Sequence, residues 1–286
     1  MKFWRIGREG AEIPLATYEG THYDLSALTA TFDAQFFANK GVAIIHEAIQ
    51  EHAVPKIEID NTQRIGAPIT HPQALICIGQ NYAAHAKESG SEAPKEPIVF
   101  FKHPNTIIGP YDPVAIPPGS TKTDWEVELG IVIGEETLYL SSPNAAKGKI
   151  AGYVLCNDLS ERDFQFTFSG GQWSKGKVAP GFSPLGPWFL SADEIDPHNL
   201  SIKSWVNGEP RQSSTTADMI FSVDEIVYNL SQYMRLSPGD IILTGTPEGV
   251  AFSGRFPYLS AGDVVEVEID QLGRQRQTFV SHKELS

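Results

Sequence analysis

Two glutamates spaced two residues apart, with an aspartate just ahead of them, open the run Asp124-Trp125-Glu126-Val127-Glu128-Leu129-Gly130-Ile131-Val132-Ile133-Gly134. Strand alternation puts Val127, Leu129, Ile131 and Ile133 on one face and Asp124, Glu126, Glu128, Gly130 and Val132 on the other. The first face is core. On the second, carboxylates crowd at the start of an otherwise apolar strand, where repulsion and burial both disfavour ionisation unless positive charge compensates them. A divalent cation is the simplest compensation, and hard cations take oxygen ligands. Asp158, which closes the apolar stretch Ile150 to Leu155 through Asn157, supplies a third carboxylate. Spacing alone leaves a solvated acidic face open as an alternative; the apolar neighbours and the abrupt Asn157-Asp158 strand end favour the metal.

A second grouping is His85 with Glu88, three apart and on one face if Asn81 to Gly90 is a helix. A carboxylate beside an imidazole orients it and favours its protonated form, as a histidine that takes a proton from water and returns it requires. By itself the pair also fits an ordinary surface contact.

These groups need elements to hold them. Ala74 to Gly79 reads as a short strand ended by glycine, followed by the His85 helix with Gly90 at its stop. Ser91 to Pro97, with two prolines and several charges, reads as a surface linker, and Val99 to Lys102 as another strand. Ser160-Glu161-Arg162-Asp163 matches a capping box, so a short helix is expected to start at Ser160. Ser169 to Gly181 is glycine-rich and irregular, as suits a loop whose backbone approaches a ligand. Leu200 to Val206, Ile241 to Thr244 and Val264 to Ile269 read as strands, with a helix over Val223 to Met234. Residues 1 to 70 form a smaller leading module with short strands at Phe3 to Ile6, Ile13 to Tyr18 and His22 to Leu25, and an amphipathic helix over Val42 to Ile49. Many short strands with few helices indicate a β-rich α+β fold.

The 286 residues carry 22 basic and 35 acidic side chains, a net charge of -13. That balance argues against nucleic-acid binding, which needs clustered Lys and Arg, and requires an anionic substrate to find local positive charge. No apolar run approaches a membrane span. Cys77 and Cys156, each inside an apolar run, suit a reducing cytoplasm.

Four motifs in order then resemble the fumarylacetoacetate hydrolase family: Gly79-x-Asn81-Tyr82-x-x-His85-x-x-Glu88, Asp124-Trp125-Glu126-x-Glu128-Leu129, Asn157-Asp158-x-Ser160-x-Arg162-Asp163-x-Gln165, and Thr244-Gly245-Thr246-Pro247-x-Gly249-Val250. Gly170 to Lys177 is similar to the branch containing hydrolases of 2,4-dioxo-3-deoxy sugar acids. The resemblance implies a mixed β-sandwich roll with a small N-terminal domain (residues 1–70) before the catalytic domain (71–286). It implies Glu126, Glu128 and Asp158 as ligands of one Mg²⁺ or Mn²⁺ per subunit, which removes Asp124 from the ligand set. His85 and Glu88 correspond to a catalytic dyad, carried in several members on a lid. Lys177, with Lys175 as the fallback across a loop of variable length, corresponds to a catalytic cation. Arg162, Gln165, Thr246 and Tyr82 correspond to substrate contacts. The activity implied is hydrolysis of a C–C bond in a small anionic 2,4-dioxo acid by a cytoplasmic homodimer. Oxaloacetate decarboxylation and isomerisation or hydration of a dienoic 2-oxo acid use the same kind of site, and a non-catalytic binding protein is a further alternative.

Overall fold

Alternation along Val127–Ile133 sets the layers of the molecule, a computed structural model that describes residues 1–60 and 62–284. Val127, Leu129, Ile131 and Ile133 enter one core, and Val132 enters another on the opposite face. Both faces of this strand are covered, so every residue in it is buried.

The main sheet runs Thr21–Asp24, Ile13–Tyr18, Lys2–Ile6, Ser183–Ser191, Ile150–Asn157, Val127–Ile133, Ile241–Leu243, Leu75–Gly79 and Ile98–Lys102. The neighbours along this path are antiparallel except Ile241–Leu243 with Leu75–Gly79, which makes the sheet mixed. A second sheet includes Glu209–Thr215, Ser201–Val206, Val264–Ile269 and Gly273–Ser281. Between the sheets Val127, Leu129 and Ile131 meet Ile202, Val265, Val267 and Phe279 in one core, to which the helix Val223–Ser231 adds Ile226 and Leu230. The other core joins Cys77, Val132, Val154, Cys156 and Leu243 to Phe3, Phe32, Phe36 and Phe37 near the N-terminus. Burying each large side chain there contributes about 1.5–3 kcal/mol. The result is a β-rich α+β fold. No helix among the described residues is long and apolar enough to cross a membrane.

Two local expectations fail, and one strand goes unread. Asp124 to Gly134 is not one strand: Thr123–Asp124 pairs with Ser160–Glu161 in a separate two-stranded ribbon, and the main strand begins at Val127. The chain bends at Trp125-Glu126 because Asp124 turns away to accept the backbone N–H groups of Ala251 and Phe252 at 2.8 and 2.9 Å. Ser160 does not start a helix, since its hydroxyl donates to Asp158 O at 3.0 Å. One residue on, Glu161 Oε2 receives Phe164 N–H at 2.6 Å at the head of a single π-type turn, Asp163–Thr167. A capping box does form, at Ser222 and Glu225. Finally, the nine-residue strand Ser183–Ser191 carries Pro184 and Pro187 and escapes strand criteria, because proline cannot donate to a ladder. Its pairing with Ile150–Asn157 is interrupted between Cys156↔Leu185 and Val154↔Phe189, where Pro187 lies.

Candidate active site

The even face of Val127–Ile133 carries Glu128 near its start and Val132, which joins the phenylalanine cluster, near its end. Glu128 sits opposite Cys156, and Glu126 O receives Asp158 N–H at 2.8 Å, so the strand register itself brings Asp158 beside the glutamates. Oxygen atoms of Glu126, Glu128 and Asp158 lie within 4.8 Å of one another, all buried.

Three cations surround them. Lys177 Nζ donates to Glu126 Oε2 at 2.7 Å and Asp158 Oδ2 at 2.8 Å. Arg162 Nη2 donates to Glu126 Oε1 at 2.7 Å, its Nε to Asp124 Oδ2 at 2.9 Å, and its Nη1 to Gln165 Oε1 at 2.9 Å. Lys102 Nζ donates to Asp158 Oδ1 at 2.6 Å. Glu128 has only the Gly245 N–H, at 2.9 Å, and no cationic partner among the described residues. The two glutamates therefore titrate in opposite directions. Burial pushes both up; at Glu126 Lys177 and then Arg162 outweigh it and hold the carboxyl far below its usual range. At Glu128 burial, reinforced by Asp158 and Glu126, wins and raises the carboxyl well above it. Lys177 and Arg162 stay charged despite burial, because Asp158 and Glu126 raise the first, and Asp124 and Glu126 the second.

His85 Nδ1 lies 3.0 Å from Glu88 Oε1 on the short helix Ala83–Glu88, and Gly249 N–H fixes Glu88 at 3.0 Å. A carboxylate oxygen accepts this bond from Nδ1–H, which turns Nε2 away from Glu88. Asn81 roots this helix: its side chain bonds Phe221 N, Phe221 O and Thr244 O at 2.8–3.0 Å. Gly245, at φ 92°, lies under Asn81, where an added Cβ would come within 2.9 Å of the Asn81 Cβ. The glycine-rich loop ends in a comparable fit. A Cβ on Gly176 would stand 2.5 Å from Glu161 O, a close approach that lets Lys177 reach inward while Lys175 remains exposed.

His85, Glu126, Glu128, Arg162, Gln165, Lys177 and Thr246 line one cavity of about 180 Å³. Phe100, Phe166, Trp173 and Phe252 add aromatic walls, Phe166 and Phe252 stacking at 5.0 Å. Thr246 Oγ1 donates to Val127 O at 2.9 Å and accepts from Gln212 Nε2 at 2.7 Å. Tyr82 is not brought into this wall; it is buried at the head of the helix, and its hydroxyl has no partner among the described residues. Two residues were missed by sequence reasoning. Asp124, set aside as a ligand, anchors Arg162. Lys102 was seen only as a strand end, although its place two residues after a core-facing phenylalanine, Phe100, signals an inward side chain.

Oxygen donors only, three carboxylates, and one of them without a protein cation are a set suited to a hard divalent cation. The chain matches the family described as fumarylacetoacetate (FAA) hydrolase C-terminal over residues 74–280. It belongs to the fumarylacetoacetate hydrolase family. Within that family it is 42% identical to a 2,4-didehydro-3-deoxy-L-rhamnonate hydrolase of Sphingomonas sp. (strain SKA58), covering 97% of this chain and 95% of the relative. It is 41% identical to a mitochondrial oxaloacetate tautomerase of Bos taurus, covering 93% of this chain and 83% of that protein. Among solved structures, the fumarylacetoacetate hydrolase of Exiguobacterium antarcticum superposes with a TM-score of 0.84 at 31% identity, covering 99% of this chain and 100% of that one. A maleylpyruvate hydrolase from Sphingobium sp. SYK-6 gives 0.79 at 28% identity, covering 98% and 100%. Relatives with enzyme activities over nearly the whole chain make this protein a fumarylacetoacetate hydrolase family enzyme.

Proposed function

We propose that this enzyme hydrolyses a C–C bond in a small anionic 2,4-dioxo acid, giving pyruvate and a second carboxylic acid. The observation that carries the reading is the His85–Glu88 pair, with a His85 Nε2 that has no hydrogen-bond partner among the described residues, in the cavity that Glu126 and Glu128 also line. Glu126, Glu128 and Asp158 would hold Mg²⁺ or Mn²⁺, which supplies a Lewis acid for the 2-oxo end of the substrate.

The side chains account for the rest. Lys177 uses two of its three protons on Glu126 and Asp158, and the third is directed to a substrate oxygen. Gln165 Nε2 has no protein partner among the described residues, so it offers a second donor beside Arg162. His85 Nε2 takes a proton from water as its oxygen bonds to the C4 carbonyl, and Glu88 stabilises the imidazolium that forms. The tetrahedral adduct collapses by breaking C3–C4. The electron pair passes into pyruvate enolate, whose negative oxygen Lys177 stabilises, and the imidazolium proton is returned to C3. The products are pyruvate and the acid derived from C4; with a 2,4-dioxo-3-deoxy sugar acid such as the rhamnonate derivative, the latter is lactate.

A second reading is favoured by the tautomerase relative: with oxaloacetate, His85 would move a proton between C3 and the C2 oxygen with no water consumed. Protein supplied with Mg²⁺ or Mn²⁺ should release pyruvate from acylpyruvates or 2,4-dioxo-3-deoxy sugar acids, with one ¹⁸O from labelled water in the second acid. His85→Ala should lower that rate by about 10²–10⁴-fold. Absence of pyruvate from every such substrate, together with rapid oxaloacetate enol decay, would replace hydrolysis by tautomerisation; CO₂ release would point to decarboxylation.

A further inference from the structure

Lys102 lies outside the cavity wall and has no part in the steps above, yet its side chain is as fully buried as that of Asp158. It ends the edge strand Ile98–Lys102, where alternation turns Phe101 outward and sends Phe100 and Lys102 inward. Its ammonium donates to Asp158 Oδ1 at 2.6 Å, Phe182 O at 2.8 Å and Leu159 O at 3.1 Å. All three protons are committed, so none remains for a substrate. An apolar side chain would fill the same space without the desolvation penalty of a buried ammonium. The effect of Lys102 therefore falls on Asp158.

The same pattern recurs on each member of the cluster. Asp158 Oδ1 is capped by Lys102, Glu126 Oε1 by Arg162 and Glu128 Oε2 by Gly245 N–H. The second oxygens differ: Asp158 Oδ2 and Glu126 Oε2 both accept from Lys177, which also serves the cavity, and Glu128 Oε1 has no hydrogen-bond partner among the described residues. Calcium takes six to eight oxygens and readily uses both oxygens of a carboxylate, whereas magnesium demands octahedral geometry and keeps several waters. One oxygen from each carboxylate, two of them shared with Lys177, suits the smaller ion.

We infer that Lys102 is a positioning residue that restricts Asp158 to one ligating oxygen and thereby biases the cluster toward Mg²⁺ or Mn²⁺ over Ca²⁺. The inference rests on the reading of the cluster as a divalent-cation site. It is tested by following free Mn²⁺ with electron paramagnetic resonance while titrating the full-length protein, with Mg²⁺ and Ca²⁺ as competitors. In the wild type, Mg²⁺ should displace Mn²⁺ at least about tenfold more effectively than Ca²⁺. Lys102→Met should weaken Mn²⁺ binding by about 10–100-fold and bring the two competitors within about twofold of each other, whereas Lys102→Arg, which keeps a cation on Asp158, should stay within about threefold of wild type. A folded Lys102→Met protein with unchanged Mn²⁺ affinity and preference overturns the assignment. So does a wild type that takes Ca²⁺ as readily as Mg²⁺, a result that needs no variant to fold. A wild type that takes up no Mn²⁺ overturns the cation reading itself, and the role of Lys102 with it.

Discussion

Two ion-pair networks in this molecule are built from the same residue types to opposite ends. Near the N-terminal strands, Arg5 and Arg64 clasp the two oxygens of Glu12 at 2.9 and 2.7 Å, and Arg64 also holds Asp112 through its Nε at 2.7 Å. Two cations meet two anions, and each anion has a guanidinium. At the cavity, Asp124, Glu126, Glu128 and Asp158 meet Arg162, Lys102 and Lys177, and among the described residues Glu128 has no direct ion-pair partner. Glu12 and Glu128 consequently shift in opposite directions. At Glu12 burial is outweighed by hydrogen bonds, including that from Arg64, and by the charge of Arg5, so its carboxyl is lowered; the Glu128 carboxyl is raised. A network that closes on itself is architecture. One surplus carboxylate in a cavity marks a place prepared for added positive charge.

The contrast is broken most directly at Glu128. Replacement by Gln keeps the shape and removes the surplus charge. In the presence of Mg²⁺, Glu128→Gln should lower kcat/KM by about 10³-fold, the several kcal/mol expected of a lost ligand to a catalytic cation. In EDTA the same change should raise stability by about 1 kcal/mol, a Tm gain of roughly 2–4 °C, because a buried carboxylate without a cation opposes folding. Activity kinetics and thermal melts on one preparation check both signs. Loss of stability in EDTA would show that Glu128 belongs to a balanced network after all.

Asp124 sharpens the comparison, since it sits in the surplus network yet behaves as an anchor. Its carboxylate accepts the N–H groups of Trp125, Ala251 and Phe252 as well as Arg162 Nε. Asp124→Asn keeps the size and withdraws the charge facing Arg162. A hydrogen bond to a charged group is worth about 1.5–3 kcal/mol, so KM for the oxo acid should rise about tenfold or more with a smaller change in kcat. Steady-state kinetics separate the two terms; a fall confined to kcat would place Asp124 nearer the chemistry.

How much of this was legible in the chain depended on whether the cause was local. Period-two alternation from Val127 to Ile133 is a property of the strand alone, and it predicts the core that Val127, Leu129, Ile131 and Ile133 enter and the opposite direction of Glu126 and Glu128, but not the second core that receives Val132. The reason that Glu126 and Glu128 face a cavity while Val132 meets phenylalanines is not local: Val132 shares its core with Phe3, Phe32, Phe36 and Phe37, which come from a distant part of the chain. Ser160 satisfied a capping pattern, but its hydroxyl was claimed by the Asp158 carbonyl, and Glu161 took the capping work. Ser183–Ser191 was hidden by its prolines, of which Pro187 is tolerated because the ladder is interrupted around it. Lys102 was hidden because a lysine at a strand end is ordinarily exposed, and only the approach of Asp158, Leu159 and Phe182 from distant segments draws it in.

The smallest effect is expected at the balanced network, and its pH dependence carries the sign. Glu12→Gln should leave kcat/KM unchanged and lower stability by about 2 kcal/mol, a Tm loss of roughly 5 °C, because Arg5 and Arg64 lose an ionic acceptor. A carboxyl whose folded value is depressed below its unfolded value, near 4.3 for glutamate, contributes stability that is present above the unfolded value and lost as pH falls through the folded one. The Tm difference between wild type and Glu12→Gln should therefore be constant from neutral pH down to about pH 5 and shrink below about pH 4, as protonation makes the wild-type side chain resemble the amide. Melting curves of both proteins across that range, at one ionic strength, isolate Glu12 from the other carboxylates because those are common to the pair. A difference that widens in acid would mean that the Glu12 carboxyl is raised like that of Glu128, and the distinction between the closed network and the open one would fail.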